Sequence, residues 1–146
     1  MKYTAYLATV LQDTYCPFCQ LGKSETVEEG EYFRVIPARA PYSKDHLLII
    51  PKRHVVFLKE LKNAEKKELW ELAEKRDRIL QQDHEGSSIL LRDAFVDGKV
   101  GKSINHLHLH IIPDCPIGTG NGEHRSFFSD GKYLKTVKEL KKRYLD

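Results

Sequence analysis

One short stretch constrains this chain more than any other: His106-Leu107-His108-Leu109-His110-Ile111-Ile112. On an extended strand successive side chains point to opposite faces. The three histidines therefore share one face, and Leu107, Leu109 and Ile111 share the other. The apolar face can anchor the segment to a core. The imidazole face is costly to bury unless its nitrogens meet hydrogen-bond partners, a metal or a ligand. A lone strand histidine is usually a satisfied structural residue, whereas three in alternation point to chemistry. A bare metal comb is the plainer alternative, yet a metal rarely takes three histidines from one strand when two cysteines stand elsewhere.

The rest of the chain is sized to give that strand one core. Its 146 residues, 40% hydrophobic and 31% charged, have a mean hydropathy of −0.51. These values predict one globular domain over residues 1–146 and exclude collagen-like, low-complexity and wholly disordered chains. Lys and Arg exceed Asp and Glu by only three charges. That balance suits an anionic ligand without demanding nucleic acid or an acidic membrane, and neither is expected as a partner. Met1 to Leu11 faintly resembles a secretory start, but Thr4 and Thr9 interrupt it and no small-residue cleavage site precedes Gln12-Asp13, so it reads as mature protein. No run approaches the roughly 18 apolar residues of a membrane span. Two of the three cysteines form Cys16-Pro17-Phe18-Cys19, a spacing of metal or redox chemistry rather than of a disulfide framework, and a reducing cytoplasm is the expected location.

Glu31 to Ile36 and His46 to Ile50 read as strands joined across the breaker-rich Pro37 to Lys44. From Asn63, taken as the N-cap, to about Gln82, the apolar residues Leu69, Leu72, Ala73, Ile79 and Leu80 recur at helical spacing. Ser88 to Leu91 is a further strand, and Asp97-Gly98-Lys99 signals a hairpin turn toward Ser103 to Ile112. The motif-bearing core then spans 15–113, an irregular loop 114–129 and a C-terminal helix 130–145, on which Tyr133, Val137, Leu140 and Tyr144 share one face. The elements make an α+β fold, an antiparallel sheet with one long helix packed on it.

The sequence closely resembles the histidine-triad (HIT) superfamily. The triad matches its His-x-His-x-His signature, His46-Leu-Leu-Ile-Ile-Pro51-Lys52-Arg53-His54 matches the strand and turn before its long helix, and Gly101-Lys102-Ser103-Ile104 matches its phosphate-binding approach. Cys16-Pro17-Phe18-Cys19 matches the zinc-bearing branch. The resemblance implies that His108 attacks an α-phosphorus to form a nucleotidyl-imidazole, which water then hydrolyses; imidazole is substantially neutral near pH 7 and nucleophilic without prior activation. It implies that His110 contacts phosphate oxygens and the leaving group, that Ser103 and nearby main-chain N–H groups hold charge developing on phosphorus, and that Gly101 lets the backbone come close. Phe18 and Ile36 fall where the family lines its base pocket. Structural zinc would be held by Cys16, Cys19, His54 and His106, the alternatives for the cysteine pair being a metal-free reduced state or a redox motif. A homodimer is implied by analogy.

Three functions follow: a nucleotide hydrolase acting on phosphoramidates, adenylates or dinucleoside polyphosphates; a nucleotidyltransferase or dinucleoside polyphosphate phosphorylase; and a non-enzymatic nucleotide-binding module. Histidine at 110 favours hydrolysis, because the uridylyltransferase branch resembles His-x-His-x-Gln there. The match departs where relatives carry a ribose-binding acid or asparagine, here Ala38, and where they often carry an asparagine before the glycine, here Phe95. Arg39, beside Ala38, is a candidate replacement. Lys44-Asp45 stands where small residues are usual. His46 reads equally as structural or catalytic, and His84 and His124 as surface or loop residues. Lys99, Lys102 and Arg125 read as solvated charges, Cys115 as a partly buried thiol outside the metal set, and Lys132, Lys135, Lys138 and Lys142 as a wet basic stripe.

Overall fold

The computed structural model describes residues 16–96, 98–117 and 127–143. Five strands, β1 (Glu28–Glu29), β2 (Phe33–Pro37), β3 (Leu47–Pro51), β4 (Ser87–Leu91) and β5 (Leu109–Pro113), form one sheet in the order β1-β2-β3-β5-β4. Every pairing is antiparallel. Helix α1 (Asn63–Leu80) lies between β3 and β4 in sequence, and helix α2 (Asp130–Arg143) follows β5.

Strands β2, β3 and β5 carry nearly continuous apolar runs because both sides of the sheet are covered. Phe33, Val35, Leu47, Ile49, Leu109 and Ile111 meet Leu69, Leu72, Ala73, Ile79 and Leu80 of α1, with Tyr133, Val137 and Leu140 of α2 joining the same cluster. On the other side Ile36, Leu48 and Ile50 pack with Phe18, Ala38 and Ile104. Burying each large apolar side chain stabilises the fold by about 1.5–3 kcal/mol. The register sets Leu48 opposite His110 and Leu90 opposite His110, so the third histidine is flanked by a strand on each side.

Several expectations need correction. Asn63 is the first residue inside α1, with Lys62 at the cap; Glu65, three residues on from Lys62, accepts the Lys62 N–H at 2.8 Å. The Glu65 carboxylate also takes two hydrogen bonds from Arg53, each 2.8 Å long, so the helix start is held by the glutamate half of a capping box instead of by an asparagine side chain. The expected tight hairpin is instead a long excursion: β4 ends at Leu91 and β5 starts only at Leu109. Asp97 of the turn signal lies outside the described residues, as do His124, Arg125 and Tyr144. The short β1 has no signal in the sequence beyond the charges that line it.

The triad itself is only partly a strand. His110 belongs to β5, whereas His106 and His108 precede it. The His106 N–H donates to the Ile104 carbonyl at 2.8 Å and the Leu107 N–H to the Val55 carbonyl at 2.7 Å, which ties this approach to the 55–57 segment instead of to a strand. Facing still alternates, since Leu107, Leu109 and Ile111 all enter the α1-side core.

Candidate active site

His108 is 4% exposed, and its Nδ1 lies 2.7 Å from the main-chain oxygen of His106. A carbonyl only accepts, so Nδ1 carries the proton and Nε2 keeps its lone pair. Burial presses this imidazole down to about 4, which keeps it neutral at physiological pH. Its ring stands 4.8 Å from that of His110, centroid to centroid.

A second chain of hydrogen bonds sets the proton on His110. The Tyr42 N–H donates to His46 Nδ1 at 3.1 Å, so the His46 proton resides on Nε2. That nitrogen lies 3.0 Å from His110 Nδ1 and donates to it, which leaves the His110 proton on Nε2. One histidine thus offers a lone pair and its neighbour a proton, an arrangement suited to nucleophilic attack and protonation of what departs. His46, readable as structural or catalytic from sequence, is 2% exposed and acts on His110.

Next to these rings lies a cavity of about 200 Å³, lined by Phe18, Ile36, Ser103, His108 and His110 among others. Gly101 is not in the lining; it lies at φ 80°, a left-handed conformation that glycine adopts without strain. Phe18 stands edge-on to both His106 (5.7 Å) and His108 (5.3 Å). Ala38 offers the cavity only a methyl group, and Arg39 is engaged by Asp130 and stacks on Phe127 and Tyr133. Phe95, the other departure, is 61% exposed and sits edge-on to Phe57.

His106 turns its ring toward Cys16, Cys19 and His54. Its Nε2 lies 2.8 Å from the Pro51 carbonyl and carries the proton, so Nδ1 presents a lone pair to the cluster. That Nδ1 is 3.4 Å from Cys16 Sγ, 3.5 Å from Cys19 Sγ and 3.2 Å from His54 Nδ1, while Cys19 Sγ is 3.2 Å from His54 Nδ1. Zinc–sulfur bonds of about 2.3 Å and zinc–nitrogen bonds of about 2.0–2.1 Å imply tetrahedron edges of roughly 3.3–3.8 Å. The four donor atoms, all within 4.8 Å of one another, fit such a metal in number, kind and spacing. Cys115 stays outside, near the Tyr42 and Pro116 carbonyls.

Two basic residues differ from their sequence reading, and a third had none. Lys102 is buried at 4% exposure, with Nζ donating to the Val56 carbonyl at 2.7 Å, because it lies under the loop whose next residue, Ser103, lines the cavity. Its amine is lowered by burial. His84 is clasped between Asp45 Oδ2 and Asp114 Oδ2, each 2.8 Å from one ring nitrogen. Burial would press this imidazole down, but the two carboxylates outweigh it and hold it above its ordinary value. Arg92, which no motif marks, brings Nη1 to 3.5 Å from His110 Nε2. Its position at the end of β4 becomes visible only once β4 is paired with β5.

A model of the HIT domain matches residues 22–116. The chain belongs to the HIT family. Among HIT relatives, a bis(5′-adenosyl)-triphosphatase of Dictyostelium discoideum is 35% identical over 74 residues, covering 50% of this chain and 48% of its own. The chain thus spans about half the length of that relative. An adenosine 5′-monophosphoramidase of Candida albicans is 26% identical over 140 residues, covering 85% of this chain and 90% of its own. Among solved HIT structures, a Zn-bound histidine triad family protein from Mycobacterium smegmatis aligns with a TM-score of 0.60 at 22% identity, over 96% of this chain and 91% of that one. The antiparallel sheet with its two helices is the HIT α+β fold. Among the described residues no helix is long and apolar enough to cross a membrane.

Proposed function

We propose that residues 1–146 form one HIT domain that hydrolyses a nucleotidyl–phosphoryl bond in two steps. His108 Nε2 attacks the α-phosphorus, a nitrogen–phosphorus bond forms and the bond to the leaving group breaks. The departing electron pair receives the proton of His110 Nε2 or remains as charge. Water then attacks the same phosphorus and releases the nucleoside monophosphate and free His108. The observation that supports this most is the commitment of His108 Nδ1 to the His106 carbonyl, which leaves Nε2 as the uncommitted nucleophilic nitrogen beside the cavity. Ser103 contributes a hydroxyl for the phosphoryl oxygens, Gly101 allows close approach of its loop, and Phe18 and Ile36 form apolar walls for a base.

The relatives' names, a dinucleoside triphosphatase and a phosphoramidase, favour hydrolysis over transfer to phosphate. Zinc is the metal that two thiolates and two imidazoles suit, with a structural role: Cys16, Cys19, His54 and His106 would fill its coordination shell, and His106 passes that restraint to the nucleophile through its carbonyl. A reducing cytoplasm keeps such cysteines available. The open edge of β4, with Ile89 39% exposed, is the surface on which a second copy would dock to form a homodimer.

Trapping in alkaline denaturant, because a phosphorus–nitrogen bond to imidazole is lost in acid, followed by mass spectrometry tests the mechanism. Rapid quenching with α-labelled diadenosine triphosphate should leave the label on His108, and His108→Ala should neither carry label nor turn over. Label on another residue, or turnover by His108→Ala, would overturn the reading.

A further inference from the structure

Among the described residues only two that are not glycine take a left-handed backbone, Asp45 at φ 68° and Asp114 at φ 51°. One imidazole holds both. His84 Nε2 lies 2.8 Å from Asp45 Oδ2, and His84 Nδ1 lies 2.8 Å from Asp114 Oδ2. An ionised carboxylate only accepts, so the ring donates from both nitrogens and is an imidazolium while the clasp is whole. Its main-chain N–H bonds the Leu80 carbonyl at 3.0 Å, which sets it at the C-terminal end of α1, where the helix dipole also favours a cation. Asp83 and Glu85 flank it in the chain, and Arg143 of α2 reaches Asp45 at 3.4 Å and Asp83 at 2.7 Å. Lys44 and Glu139 share a cavity wall with Asp45.

Asp45 leads directly to the active site. It is the third residue of the turn Ser43 to His46, which the His46 N–H closes by donating to the Ser43 carbonyl at 3.3 Å. A turn with positive φ at its third position favours glycine there, and an aspartate keeps that conformation only under restraint. Just before this turn the Tyr42 N–H donates to His46 Nδ1, and His46 Nε2 in turn lies 3.0 Å from His110 Nδ1. Relaxation of Asp45 to negative φ would open the turn and swing the His46 ring away from His110.

We propose that His84 is a positioning residue for the active site: by clasping Asp45 it holds the turn that aims His46 at His110. Its effect on turnover rests on the hydrolase reading, whereas the aim of the ring does not. The two carboxylates hold the imidazole above its ordinary value of 6.5. As the pH rises through that higher value the ring loses one proton, a lone pair then faces one of the carboxylates, and the clasp opens. His84→Ala opens it at every pH. Asp45→Gly makes it unnecessary, because glycine takes the left-handed conformation without restraint.

The test measures kcat/KM on diadenosine triphosphate across the neutral range for the full chain, His84→Ala, Asp45→Gly and the double variant, each held well below its melting temperature. Wild type should exceed His84→Ala by about tenfold near about pH 6, and the gap should shrink below about twofold by about pH 9. The double variant should recover most of the loss. Asp45→Gly alone should hold its activity where wild type declines with rising pH, an arm that stands even if His84→Ala does not fold. A gap that is equal at both ends, no gap, or no recovery in the double variant would overturn the proposal. Nitrogen NMR of the histidine rings reads the aim without turnover: the His46 to His110 hydrogen bond should be present in wild type and lost in His84→Ala, and its persistence would likewise overturn the proposal. A wild type that never labels His108 would sink the hydrolase reading, and the NMR result would still decide this one.

Discussion

Replacing Glu65 with Gln should cost this protein about 2 kcal/mol near neutral pH and almost nothing in strong acid. Glu65 is 3% exposed and its carboxylate accepts three hydrogen bonds, two from Arg53 and one from the Lys62 N–H. Arg53 foremost, with help from that N–H, holds the carboxyl down at about 2, against 4.5 for an ordinary glutamate. The difference corresponds to about 3 kcal/mol, and screening at the half-exposed Arg53 side chain brings it to about 2 kcal/mol. A carboxyl depressed on folding stabilises above its unfolded value and loses that contribution as the pH falls through the folded value. Urea titrations at pH 7 should separate wild type from Glu65→Gln by that amount, and melting temperatures by about 4–8 °C. Between pH 4.5 and 2 the gap should close. A gap below about 0.5 kcal/mol at pH 7, or one that persists unchanged at pH 2, would refute the reasoning.

Three further outcomes are expected. Protein purified without chelator should carry one zinc per chain by elemental analysis, and Cys16→Ser or Cys19→Ser should lose it together with about 10–100-fold in activity; metal-free protein of full activity would exclude the structural role. His84→Asn should destabilise the protein below about pH 6.5, the ordinary histidine value, with the difference from wild type vanishing as the pH rises through the higher folded value, because an imidazole raised on folding stabilises only while protonated; melting curves from pH 5 to 9 read this directly. Lys102→Met should change stability by less than about 1 kcal/mol in urea, since the lost hydrogen bond to Val56 is offset by relief from burying an ammonium; a larger loss would make that bond the anchor of the loop.

Where local pattern and tertiary demand agreed, the elements were legible from sequence. The spacing of Leu69, Leu72, Ala73, Ile79 and Leu80 located α1, and the apolar runs located β3 and β5, because both faces of those strands are buried. The four cluster ligands came from resemblance, and the geometry brings them together. What was missed depends on pairing over long distances. Glu65 caps α1 by accepting the Lys62 N–H while an arginine twelve residues earlier holds its carboxylate, and Asn63, a good capping residue by type, sits one position too late. His84 looked like a loop residue because Asp45 and Asp114, its two partners, arrive from the start of β3 and the end of β5. Arg92 has no motif of its own and gains meaning only when β4 lies beside His110. Lys102 carries a charge that composition assigns to solvent, yet the chain folds it under its own loop.

His106 does two jobs with separate atoms: its ring faces the cysteines, and its main-chain oxygen grips the ring of His108. The two sites consequently share a single backbone position and cannot drift apart. Any change that displaces the backbone at 106 would therefore disturb the sulfur-and-nitrogen cluster and the prop beneath the neighbouring imidazole at one stroke.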